Sequence, residues 1–149
     1  MDLKELTDGL AQMGVKVGYS TIRNYVNAGL IDKPIRKSLG RHMGQTVEFS
    51  NPDNVLEEAY VAHVLRNGKR IKFSAERICA ARKTVLERER DKPIAKGFPD
   101  DTLLVTLWMM HREIARKKRN PEYVLSEEFG EDVESIETAM KNLIDETLS

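Results

Sequence analysis

An arginine and an asparagine stand side by side at positions 23 and 24, behind a Tyr19-Ser20-Thr21 lead-in. Lys33, Arg36, Lys37 and Arg41 follow within twenty residues. A guanidinium forks bidentately onto phosphate oxygens, and an asparagine amide pairs with the N6/N7 edge of adenine. These are the side chains that a nucleic-acid surface needs. Other chemistries lack their residue sets. His42, His63 and His111 fall in three separate predicted elements with no metal-ligand spacing. The single cysteine, Cys79, has no nearby Cys or His to complete a zinc tetrahedron and cannot close an intrachain disulfide. The adjacent acids Glu57-Glu58, Asp100-Asp101 and Glu127-Glu128 would point about 100° apart on a helix, so they cannot share a proton as a catalytic dyad does. No nucleophile stands with a base, and Asn67-Gly68-Lys69 reads as a loop and not as a phosphate cradle. Neither an enzyme, a metal site nor a cofactor is expected.

The elements that must position these residues follow from apolar spacing. Leu3, Leu6, Leu10 and Met13 line one face of a short helix that Gly14 ends. Val15 to Val17 form a brief extended piece. Gly18 or Ser20 then caps a second helix, in which Ile22, Val26 and Leu30 pack inward at four-residue steps, and Ala28-Gly29 closes it. Ser20, Thr21, Arg23, Asn24 and Asn27 are left outward. Ile35-Arg36-Lys37 and Thr46-Val47-Glu48-Phe49, with breaks at Gly40 and Gly44, predict a β-hairpin with a basic tip of Arg36, Lys37 and Arg41. Asn51 caps a third helix with Pro52 in its first turn and an apolar face of Val55, Leu56, Ala59, Tyr60, Val64 and Leu65. Gly68 ends it, and Ser74 caps a fourth helix through Ile78, Ala81, Val85 and Leu86. The fold class expected is mainly α with a small β-hairpin wing, a winged helix-turn-helix followed by a helical C-terminal part.

Helix, turn, helix and then a basic two-stranded wing is a layout that sets the second helix in the major groove and the wing along the backbone. Within it, Thr21-Ile22-Arg23-Asn24-Tyr25-Val26-Asn27-Ala28-Gly29-Leu30-Ile31 resembles the T-[IL]-R-x-Y-x-x-x-G-L-[IL] run of the MerR family of bacterial transcription regulators. The order downstream is similar too: a wing, an aromatic (Phe49) before the third helix, Gly68, and a fourth helix opened by Ser74. The resemblance covers about residues 3–86. It implies that Arg23 contacts the DNA backbone and that Tyr25 does so as well, although Tyr25 at this spacing fits core packing equally. Tyr19, Ser20, Thr21 and Asn24 lie at the helix start, where side chains reach base edges, and Asn24 is the expected base reader. Lys33, Arg36, Lys37 and Arg41 are the expected phosphate contacts of the wing. Several features depart from the family. Asn24 replaces a usual tyrosine, Val26 a frequent glutamate, and the connection from Gly14 to Thr21 is about two residues longer. The long dimerisation helix and effector-binding cysteines of the metal-sensing members have no counterpart, so metal sensing is not expected.

Charge divides the chain. Of its 149 residues, 1–90 carry 16 Lys/Arg against 11 Asp/Glu, net +5, and 91–149 carry 8 against 13, net −5. The stretch from Glu87 to Pro93 alternates charge and ends in proline, which sets the expected boundary near residue 90. Beyond it, Asp100 or Asp101 caps a helix with the stripe Leu103, Leu104, Leu107, Trp108, His111 and Ile114, and a last helix carries Val133, Ile136, Met140 and Leu143 at heptad spacing. That seam packs on the Trp108 helix or on a second copy. Leu103, Leu107, Trp108, Ile114, Val133, Ile136, Met140 and Leu143 are accordingly the expected dimer or partner interface. Trp108, Met109 and Met110 fit either core packing or the wall of a small-molecule pocket. No apolar window approaches the roughly 18 residues of a membrane span, and the start lacks a signal-peptide pattern, so a cytoplasmic address is expected. The functional expectation is a dimeric, sequence-specific regulator of double-stranded DNA. The alternative is a winged-helix adaptor whose acidic C-terminal helices bind a protein partner.

Overall fold

Two short helices, a hairpin and four longer helices follow in chain order in a computed structural model. It describes residues 1–38, 45–69, 71–90, 101–125 and 132–148. The stripe of Leu3, Leu6 and Leu10 gives α1 (Leu3–Gln12). Asp2 opens it, its carboxylate accepting a 2.8 Å hydrogen bond from the Glu5 N–H. After a loop held by the Val15 N–H on the Leu10 carbonyl, Gly18 begins α2 (Tyr19–Asn27). The chain leaves α2 through Gly29, whose φ of +75° favours glycine, and a Cβ there would lie 2.9 Å from Cys79 Sγ. Sequence at that turn is therefore fixed twice, by backbone conformation and by space.

β1 (Ile35–Ser38) and β2 (Gln45–Glu48) pair antiparallel, with Ile35 opposite Glu48 and Arg36 opposite Val47. Of the residues expected at the basic tip, Arg36 and Lys37 lie in β1 and Arg41 lies outside the described residues. Asn51 precedes α3 (Pro52–Arg66), and Ser74 caps α4 (Ala75–Glu89) by accepting from the Arg77 N–H at 3.3 Å. Between these helices Gly68 lets the chain fold tightly. A Cβ at that position would meet the Ile71 carbonyl at 2.2 Å, and the Phe73 N–H closes the turn on the Leu65 carbonyl at 2.9 Å.

The described residues are mainly helical, with six helices and one two-stranded antiparallel sheet. Their centre is α3. It packs against α1, α2 and α4, and against α5 (Thr102–Arg119), which also packs on α4 and on α6 (Val133–Leu148). Val55, Leu56, Ala59, Tyr60, Val61, Ala62 and Leu65 bury almost the whole circumference of α3, so Glu57 and Glu58 are buried with them. A boundary expected near residue 90 falls beside residues 91–100, outside the described set. On either side of it the helices share one hydrophobic cluster, with Leu104, Leu107 and Trp108 alongside Leu6, Ile22 and Ile78.

That packing revises the expected interface. Leu107, Trp108, Ile114, Ile136 and Met140 are buried within the single chain, and Leu103, Val133 and Leu143 are half-buried. The reason is that α5 is covered on one side by α3 and α4 and on another by α6, so its stripe is spent on this chain's own core. Met110 is also buried, and Trp108 and Met110 are core residues. No helix among the described residues is long and apolar enough to cross a membrane.

Candidate nucleic-acid interface

Ile22 and Tyr25, three residues apart, turn together into the core and fix α2 on its inner side. Tyr25 is 6% exposed, which corrects its expected role as a DNA contact. Its helical position puts the ring inward, and burial raises its phenol pKa, with Arg66 pulling the other way. On the outer side, Tyr19, Ser20, Arg23, Asn24 and Asn27 are exposed and Thr21 is half-buried. Ser20, Arg23, Asn24 and Asn27 recur at three- and four-residue steps, so they form one polar strip along the helix. No side chain caps the first turn of α2.

Between α2 and the hairpin lies a cleft of about 590 Å³. Its floor includes Ile22 and Phe49, and Arg23, Asn27, Lys33 and Arg36 also line it. Two cations come from separate elements and one from the segment between them, and none makes an ion pair among the described residues. Four arginines of α4 and α5 behave differently. Arg77 binds Asp101 at 2.8 Å, Arg112 pairs with Glu89, Arg116 reaches Glu57 at 2.7 Å, and Arg119 reaches Asp53 at 3.0 Å. The cleft thus collects positive charge that the fold leaves uncompensated. Asn24 is exposed but does not line the cleft, and Asn27 does. Lys37 lies in β1 opposite Thr46.

The segment carrying Lys33 is tied to the core by a buried guanidinium that sequence reasoning missed. Arg82 of α4 donates through Nη1 to the Gly29 carbonyl at 3.3 Å, through Nη2 to Asp32, and through Nε to Glu58 of α3. Burial pushes the Glu58 carboxyl up to about 7, with Arg82 opposing through its hydrogen bond and charge. Burial also works against the Arg82 charge, and its two carboxylate partners outweigh that effect and hold it protonated. A signal was present in the sequence, since Arg82 sits between Ile78 and Val85 on the apolar stripe of α4. Of the histidines, His63 and His111 each bury Nδ1 without a hydrogen-bond partner, and burial lowers both pKa values, that of His111 to about 4. His42 lies outside the described residues. No group of three or more His, Cys, Asp or Glu side chains among the described residues is placed to hold a metal ion.

Compared with family models, curated proteins and solved structures, the chain gave no significant match in any of the three.

Proposed function

We propose that the chain is a sequence-specific, DNA-binding transcriptional regulator. In this reading α1, α2 and the hairpin act as a winged helix-turn-helix of the MerR type. The single observation that carries it is the convergence of Arg23, Lys33 and Arg36, none of them ion-paired among the described residues, on the cleft between α2 and the hairpin. A duplex presents a row of phosphates, and cations drawn from a helix, a strand and the segment between them suit such a row better than an isolated anion. With α2 in the major groove, Ser20, Asn24 and Asn27 face base edges, and Arg36 takes a flanking phosphate from the wing.

A single module of this size buries little DNA, so useful specificity calls for two half-sites and a homodimer. Because Leu107, Trp108, Ile114, Ile136 and Met140 are buried within one chain, the partner copy would have to meet a different surface. The test is binding to a pool of random duplexes at low and physiological salt, followed by sequencing of the bound fraction. Recovery of a two-fold symmetric motif is expected, with Arg23→Ala and Arg36→Ala each lowering the salt slope by about one. Binding that enriches no motif and vanishes at physiological salt would overturn the reading and turn attention to a protein partner of the acidic helices.

A further inference from the structure

A second cavity, of about 400 Å³, opens far along the chain from the basic cleft, between the end of α3, the residues Gly68, Lys69, Ile71 and Phe73, α5 and α6. Its walls include Val64, Ile71, Phe73, Leu107, Met140 and Ile144. The volume falls in the range of roughly 300–1,000 Å³ usual for small-molecule sites. One wall is the turn that only glycine at position 68 allows, because any Cβ there would strike the Ile71 carbonyl.

Polar groups at this cavity define what it would take. His111 lines it, with Nδ1 shut away and unpartnered, and burial holds the imidazole neutral, its pKa pushed down to about 4. Apolar walls beside a neutral ring exclude a charged group from that part of the cavity. The charged side chains that line it are Lys69, Glu137 and Lys141, all exposed, so two cations face one anion. Neither lysine makes an ion pair among the described residues. We propose that this cavity binds a small amphipathic carboxylate, aromatic or medium-chain aliphatic, its apolar body between α5 and α6 and its carboxylate at Lys69 and Lys141.

Octanoate and 1-naphthoate, each titrated into the full chain, test this by methyl-resolved NMR. Saturable one-to-one shifts are expected at Ile71, Ile114 and Ile144, which line the cavity, and not at Ile22 or Ile35. The Lys69→Ala/Lys141→Ala double variant changes only exposed side chains and should weaken binding by about five-fold. 1-Octanol, with a similar chain and no charge, should bind more weakly than octanoate. Ile144→Trp should fill the cavity and abolish the shifts, with its thermal unfolding checked alongside. If that variant does not fold, the surface lysine pair carries the test. Absence of saturable shifts with both acids would overturn the proposal. So would octanoate binding that the lysine variant leaves unchanged, or octanol binding as tightly as octanoate.

Discussion

Arg82 holds a carboxylate from α3, a carboxylate from the segment after α2 and a backbone carbonyl at once, so it joins three pieces of chain through one side chain. Removing it leaves Glu58 buried and unpaired, and such a loss costs about 3–5 kcal/mol. Arg82→Met is expected to lower the urea midpoint accordingly, and Arg82→Met/Glu58→Met to recover most of it. A single-variant loss under about 1 kcal/mol would show that Glu58, already raised to about 7, takes up a proton or water once its partner is gone. Burial of His111 also sets a pH response. His111 has a folded pKa of about 4 against about 6.5 in an unfolded chain, so the native state excludes a proton that the unfolded state accepts. Its contribution is complete above pH 6.5 and is lost as the pH falls from 6.5 towards 4, by at most about 3 kcal/mol. Glu58, raised to about 7, contributes with the opposite sign, its share being lost as the pH rises towards 7. Thermal unfolding of His111→Leu against the parent across pH 4–7 isolates the histidine: the parent should lose stability relative to the variant as the pH falls from 6.5 towards 4.

Among the elements, α2 depends on the turn that ends it. Gly29→Ala meets both a positive φ and Cys79 Sγ, and is expected to destabilise the protein by about 1–2 kcal/mol. Adding Cys79→Ala should relieve the crowding but not the backbone strain, so calorimetry should find only part of the loss restored. Apolar spacing made α1, α2, α3 and α4 legible from sequence. Strand signals on either side of a glycine-bounded segment did the same for the hairpin, and Asn51, Pro52 and Ser74 marked the helix starts. Spacing was silent on how many neighbours a helix has. The apolar face expected of α3 omits Val61 and Ala62, which complete its apolar circumference and bury Glu57 and Glu58 with it. At the candidate site, Arg23, Lys33 and Arg36 were legible as types and spacing. Tyr25 stayed open between core and surface, because a ring with a hydroxyl suits both and only the partner face of α1 and α3 decides.

Across the whole molecule, α5 is the piece that the charge pattern misrepresents. Its basic end and the acidic stretch beyond it suggest an appendage, whereas Leu104, Leu107 and Trp108 lie in the same cluster as Leu6, Ile22 and Ile78. Trp108→Ala is expected to cost about 3–5 kcal/mol, and helix content and tryptophan-independent probes such as the methyl spectrum should then melt together. A separate early transition for α5 and α6 would argue for two units. For the same reason a chain cut at residue 90 should lack the sharp methyl dispersion of the full protein. The position of α5 in the sequence also has a bearing on synthesis. A ribosome delivers α1 to α4 before α5 emerges, so for that interval the faces of α3 and α4 that α5 will cover remain open to water and to other nascent chains. A chaperone that shields apolar helices would thus be engaged while α4 has left the ribosome and α5 has not.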